Sequence, residues 1–326
     1  MSHNITPLFV FSLPRSGSTL LQRSIAAHPR ISTAAEPWLM LPLIYTLRRE
    51  GSYAEYSHYS ANNAMSEFVA NMPGGRKAYN EELRHFVEGV YGRYTKPGDL
   101  YFLDKTPRYH LIVDEIIDLF PDAKFVFLWR NPLAVIASTL HTFGRGKWRL
   151  HYYCIDFFKG FESLHNAYLK HRDRVHTVNY EDFLCNPETE TTRLFRYLGI
   201  EDYMPDPYGF SSVKLDGTLG DPIGTKEYTE VSKAPLEKWR ESLCNPIRRA
   251  WSRRYLDWIG PQRLADIGYD HDELSSDLRD LKVSGKLLLS DTARIAYGAM
   301  MTLCDTDILT NKFKKLYQLT RVYPYT

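Results

Sequence analysis

The residues with the plainest chemistry stand near the start of the chain. An apolar run, Leu8–Leu13, leads into Pro14-Arg15-Ser16-Gly17-Ser18-Thr19 and then into a helix-forming stretch, Ser18–Ala27. A small-residue loop between a strand and a helix N-terminus presents backbone N–H groups that have no acceptor within the helix, and the helix dipole adds positive potential at the same place. That chemistry is anion binding, with phosphate as the expected guest. A nucleoside triphosphate loop reads Gly-x-x-x-x-Gly-Lys-Ser/Thr. The same frame here holds Ser12 for the first glycine, Gly17 for the second and Ser18 where the lysine would stand. The cation sits inside the loop as Arg15, whose planar fork suits two oxygens of one anionic group.

A second arginine closes another apolar run, Lys124–Trp129. After Arg130, Asn131 and Pro132 suit the N-cap and first turn of a helix that carries Ser138. In a doubly wound sheet, ligands lie beyond the carboxyl ends of the strands, which puts Arg130 on the same edge as Arg15.

Both arginines need a scaffold, and the first 180 residues supply one by repeating a short apolar run, a turn and an amphipathic stretch. The expected strands are Leu8–Leu13, Ile31–Ala35, Tyr101–Leu103, Lys124–Trp129 and Val175–Val178. Expected helices are Ser18–Ala27, a helical insertion within about 41–98, Leu111–Phe120, Pro132–Thr139, Ile155–His171 and Pro187–Leu198. In the insertion, Leu83, Phe86, Val87, Val90, Tyr91 and Tyr94 recur at three- and four-residue steps and read as one buried face. The fold class is α/β: a P-loop-like, mostly parallel sheet flanked by helices, with a mainly helical extension over about 235–326, all in one domain.

Pro14-Arg15-Ser16-Gly17-Ser18-Thr19 resembles the 5′-phosphosulfate loop of the sulfotransferases, which use 3′-phosphoadenosine 5′-phosphosulfate (PAPS) as donor. The match runs on through Ala26-Ala27-His28-Pro29 to Glu36, in a register similar to the tyrosylprotein sulfotransferases and many bacterial members. With Arg130, Ser138 and Tyr180-Glu181-Asp182, the resemblance covers roughly Leu8–Leu184. It implies that Pro14–Thr19 bind the 5′ end of the donor and that Arg130 and Ser138 grip its 3′-phosphate. Two separated phosphate sites fit PAPS, with adenosine 3′,5′-bisphosphate as product, better than a triphosphate.

The same resemblance implies Glu36 as general base, Lys105 in Asp104-Lys105-Thr106-Pro107 as the cation on the bridging oxygen, and Arg15 as its partner. Asp104 orients the lysine or caps a turn. Over Gly209–Lys233, a glycine-punctuated loop stands where family members fold a lid on the nucleotide; Lys233 is the expected cofactor contact, with Lys226 and Ser232 beside it. Tyrosylprotein enzymes follow their glutamate with Thr-Arg, whereas this chain has Glu36-Pro37-Trp38, which points away from acidic peptides. A carbohydrate or small hydroxyl metabolite is the expected acceptor. Trp38, Trp148, Tyr53, Tyr56 and Tyr59 either stack on it or belong to the core.

Among the eleven histidines, His28 reads as structural, and His110 is the reserve base. His141 and the run Arg145-Gly146-Lys147-Trp148-Arg149 read as solvated charge or as a contact to acceptor or cofactor. The net charge of +2 gives no global basic excess for a nucleic-acid partner. The four cysteines lie far apart and encode neither a zinc site nor a disulfide scaffold, and no metal is expected. No secretion signal is visible, and Lys286–Leu303, the most apolar later stretch, is interrupted by Asp291 and Arg294, so a cytoplasmic protein is expected. The last forty residues read as an amphipathic tail, with Ile308, Leu309, Phe313, Leu316 and Tyr317 on one side. The competing functions are a magnesium-dependent kinase, disfavoured by the missing lysine, and a non-catalytic module for 3′-phosphonucleotides.

Overall fold

Four successive apolar residues, Leu8-Phe9-Val10-Phe11, require β1 (Thr6–Phe11) to be covered on both faces, as inner parallel strands are. In the computed structural model, which describes residues 5–203 apart from 53 and 55, residues 213 and 215, and residues 234–304, β1 is the middle strand of a five-stranded parallel sheet. The others are β2 (Ile31–Thr33), β3 (Tyr101–Asp104), β4 (Lys124–Trp129) and β5 (His176–Asn179), in spatial order β2-β3-β1-β4-β5. Every strand expected from sequence is present, with no boundary shifted by more than two residues; β1 stops at Phe11 and β2 at Thr33, each two residues early.

Side chains of successive strand residues point to opposite faces, and this divides the core in two. Phe9 and Phe11 of β1 stand on one face opposite Phe125 and Phe127 of β4, with the Phe9 and Phe125 rings 6.0 Å apart and nearly parallel. Leu8, Val10, Val126 and Leu128 fill the other face. That second face is covered by α1 (Ser18–Ala26) and, further along the chain, by Phe183 and Leu194. The first face is covered by the insertion helices α2 (Met40–Tyr45) and α4 (Gly75–Gly92), with α3 (His58–Asn71) packed on α4, by α5 (Val113–Leu119), α6 (Pro132–Thr142) and α7 (Phe161–Lys170), and by helices of the C-terminal part. The N-cap and proline signals hold: the Asn131 side chain accepts from the Leu133 N–H at 2.9 Å at the start of α6. After β5 come α8 (Tyr180–Cys185) and α9 (Pro187–Leu198), which ends on Gly199 in the left-handed conformation.

The α4 face is narrower than its spacing predicts. Val87 and Tyr91 are buried, but Phe86 and Tyr94 are exposed. Each residue turns a helix by about 100°, so Phe86 lies off the stripe that meets the sheet, and Tyr94 lies beyond the last helical residue, Gly92. The predicted helix Ile155–His171 begins instead as a π turn, Asp156–Gly160, before α7.

Beyond residue 234 the chain is helical as expected, with α10 (Ala234–Ser242), α11 (Pro246–Asp266), α12 (His271–Arg279) and α13 (Leu288–Cys304). Asp291, which interrupts the apolar stretch, is buried in α13 and pairs with Arg248 of α11 at 2.7 Å, while its other oxygen accepts from the Trp148 N–H. No helix among the described residues is long and apolar enough to cross a membrane. Ile308, Leu309, Phe313, Leu316 and Tyr317 lie outside the described residues.

Candidate active site

Strand order decides which loops meet. β1 has β3 on one side and β4 on the other, and β2 lies beyond β3. The carboxyl edge therefore presents, in spatial order, Glu36 after β2, Lys105 after β3, the loop Pro14–Thr19 after β1, Arg130 after β4 and Tyr180 after β5. Pro14, Arg15, Gly17, Ser18, Thr19, Glu36, Arg130, Ser138 and Tyr180 line one cleft of about 280 Å³.

The loop is shaped for an anion. Gly17 has φ 90°, and a Cβ there would lie 2.2 Å from Cε2 of Tyr180, so glycine is required by conformation and by space. Arg15 also holds a left-handed conformation (φ 69°), which turns its Nε toward the Ser138 hydroxyl at 3.3 Å. Arg130 stacks its guanidinium on the Tyr180 ring, 4.3 Å from the centroid, and donates through Nη1 to the Arg15 carbonyl at 2.9 Å. The buried Nε of Arg130 has no hydrogen-bond partner among the described residues. An unanswered donor of this kind, beside a loop with no room for a Cβ, fits a phosphate or sulfate group. Ser16 differs from its neighbours: it is buried under the loop, and its N–H goes to the Leu13 carbonyl. Ser138 lies beside the Arg15 guanidinium, so the two anticipated phosphate sites join into one continuous cleft.

On the other side of β1, Lys105 is almost wholly buried and its Nζ lies 2.8 Å from Oε1 of Glu36 and 3.4 Å from the Thr19 hydroxyl. The second glutamate oxygen accepts from the indole Nε1 of Trp38 at 3.2 Å. Trp38 is itself left-handed (φ 56°), with its backbone N–H on the Thr106 hydroxyl. Non-glycine residues in that region cost on the order of 1 kcal/mol, and such strain concentrates at functional sites. Asp104 lies beneath, accepting from the hydroxyls of Tyr91 (2.6 Å), Tyr109 (2.9 Å) and Thr106 (3.1 Å). Burial pushes its carboxyl up to about 6 against these hydrogen bonds and Lys105.

With this geometry in view, comparison with known proteins is decisive at the family level. The sequence model of the sulfotransferase family matches residues 7–206. The chain belongs to the sulfotransferase family. It is 27% identical to the nodulation protein NoeE of Sinorhizobium fredii, over 83% of this chain and 68% of that protein. It is 23% identical to a protein-tyrosine sulfotransferase of Drosophila melanogaster, over 81% of this chain but about half (51%) of the fly protein. Among solved structures, a sulfotransferase domain from the curacin biosynthetic pathway aligns with a TM-score of 0.52 and 21% identity, covering 79% of this chain and 98% of that domain, and so supports the fold. Family membership makes sulfuryl transfer the reaction type.

Other expectations fare differently. His28 is buried, with Nδ1 accepting from the Arg30 N–H, as a structural histidine should be. His110 does not line the cleft; it lies behind it, fully buried, with Nε2 2.8 Å from Oδ1 of Asp156. Trp148 is core, packed against Trp251, and Tyr56 and Tyr59 are exposed away from the cleft. His141, Arg145, Lys147 and Arg149 are exposed. Tyr53, Lys226, Ser232 and Lys233 lie outside the described residues. Sequence reasoning missed Phe143, Tyr153 and Asp156, which line the cleft together with Trp38, Pro107 and Arg108. Asp156 gave no signal because it sat within an ordinary helical pattern. Among the described residues no group of histidine, cysteine and carboxylates has metal-site geometry.

Proposed function

We propose that the chain is a PAPS-dependent sulfotransferase acting on a hydroxyl acceptor, a carbohydrate or small metabolite, with Glu36 as base. The observation that supports it most is the order of charges along the sheet edge: a carboxylate, an anion loop and a stacked arginine line one cleft, with a buried lysine paired to the carboxylate behind its wall. Pro14–Thr19 and Arg15 hold the 5′ end of the donor, and Arg130 with Ser138 holds the 3′-phosphate. The donor supplies an SO₃ group whose bond to the 5′-phosphate oxygen breaks as the acceptor oxygen bonds to sulfur. Glu36 receives the acceptor proton on a carboxylate held at both oxygens, by Lys105 and by Trp38, which fixes its direction. Lys105 lies between Glu36 and Thr19, where its charge answers the charge that develops on the leaving oxygen. Lys105 and Arg130 are held by these contacts before reaction, so little reorganisation is needed.

Trp38, Phe143 and Tyr153 give the acceptor end apolar faces, and Pro37-Trp38 in place of Thr-Arg after Glu36 distinguishes it from the peptide-binding pattern. The test measures adenosine 3′,5′-bisphosphate binding without metal and sulfate transfer from labelled PAPS to an acceptor panel. For Glu36→Gln and Lys105→Ala the expected outcome is retained bisphosphate binding with transfer reduced by about a hundredfold or more. Undiminished transfer by Glu36→Gln sinks the base assignment. ATP-dependent phosphoryl transfer would favour the kinase, and binding with no transfer by the parent would favour the non-catalytic module.

A further inference from the structure

The acceptor end of the cleft holds a polar device that the transfer reaction does not use. Asp156 lines the cleft, yet its carboxylate is only 4% exposed, with Oδ1 2.8 Å from His110 Nε2 and Oδ2 3.1 Å from Arg108 Nη2. Its place depends on the π turn Asp156–Gly160, in which the Phe161 N–H reaches the Asp156 carbonyl five residues back. π turns within helices are uncommon and recur at functional sites. Gly160 permits this one: a Cβ there would lie 2.6 Å from Nδ1 of His110, so the turn and the imidazole can pack together only if the residue is glycine. The Tyr255 hydroxyl, bonded to the Phe157 carbonyl at 2.9 Å, fastens the same turn.

We propose, on the sulfotransferase reading above, that Asp156 and Arg108 form the acceptor-selecting pair and that the acceptor is an uncharged polyhydroxylated ring. A carboxylate has about four acceptor positions, and the two described contacts occupy two of them. The remainder can accept from an acceptor hydroxyl, while the half-exposed guanidinium of Arg108 donates to its neighbour. The two charges neutralise each other. Burial pushes the His110 imidazole down, against the pull of Asp156, so it adds no positive charge at neutral pH. An acidic or cationic acceptor would therefore meet no unbalanced charge of opposite sign in this pair, whereas paired hydroxyls meet one donor and one acceptor. Trp38, Phe143 and Tyr153 supply the apolar faces against which the C–H side of such a ring can lie.

The test uses the full chain with labelled PAPS and two kinds of acceptor, a set of methyl pyranosides and 4-nitrophenol, which has a single hydroxyl. For Asp156→Asn and Arg108→Gln, KM for the pyranoside should rise about tenfold or more relative to KM for the phenol. kcat for the pyranoside should change much less, and bisphosphate binding should stay at the parent value. Arg108→Gln, at a half-exposed position, carries the test if Asp156→Asn does not fold. An equal fall for both acceptors, an unmoved pyranoside KM, or a parent that sulfates no pyranoside overturns the inference while leaving the donor reading intact. A parent that does not bind the bisphosphate overturns both.

Discussion

Replacing Asp104 with asparagine tests whether the platform beneath Lys105 is as strained as its burial implies. Asp104 is fully buried, and three hydroxyls do not fully offset the loss of water around its charge, so its carboxyl titrates at about 6 rather than near 3.8. Between those values the folded chain holds a proton that the unfolded chain has released, so stability falls as pH rises through this window. A gap of about two pH units corresponds to about 3 kcal/mol, most of it appearing between about pH 4 and pH 7. The histidines act in the opposite direction. Burial lowers His28, His110 and His151, and takes His176 to about 4, so their contribution is lost as pH falls below about 6.5. That background is common to parent and Asp104→Asn and cancels in their difference. Asparagine can meet the same hydroxyls, because each hydroxyl both donates and accepts. Urea unfolding at a series of pH values should show the stability of Asp104→Asn, relative to the parent, rising by most of that figure, about 2 kcal/mol or more, from pH 4 to pH 7. A difference that stays flat with pH would refute the assignment of a raised carboxyl.

Two further expectations concern the donor loop. Gly17→Ala should weaken adenosine 3′,5′-bisphosphate binding about tenfold or more, because an alanine at φ 90° costs on the order of 1–2 kcal/mol and its Cβ displaces the Tyr180 ring that supports Arg130; unchanged binding by calorimetry counts against the cradle. On the proposed reading, in which Arg15, Lys105 and Arg130 meet the charge on the donor, transfer should be insensitive to EDTA and to added magnesium; a magnesium requirement in the transfer assay would point to a triphosphate donor instead.

Much of this was legible in the sequence because the signals were local. The β1 loop, the Asn131-Pro132 start of α6 and the five apolar strand runs each carry their instruction within about ten residues, and each is found close to where it was expected. What was not legible depends on contacts between distant segments. Asp156 looked like one more polar helix position, and only the fold brings the imidazole of His110, 46 residues earlier, onto its carboxylate and against Gly160 in the π turn. Likewise the periodicity of α4 promised a broad apolar face, whereas in the fold only Val87 and Tyr91 are fully buried and Phe86 and Tyr94 stand exposed. Trp38 and Trp148 were indistinguishable as residue types; one supports Glu36 and the other packs on Trp251.

The arrangement of the sheet has a consequence for how a bound nucleotide would act on the whole molecule. Its contacts would come from the ends of strands separated by more than a hundred residues of chain, so no partial opening that frees one strand could leave the ligand properly seated. Occupancy would then oppose cooperative melting of the entire sheet rather than fraying of one edge strand or helix, and a saturating ligand would slow amide exchange in β1, β3 and β4 together.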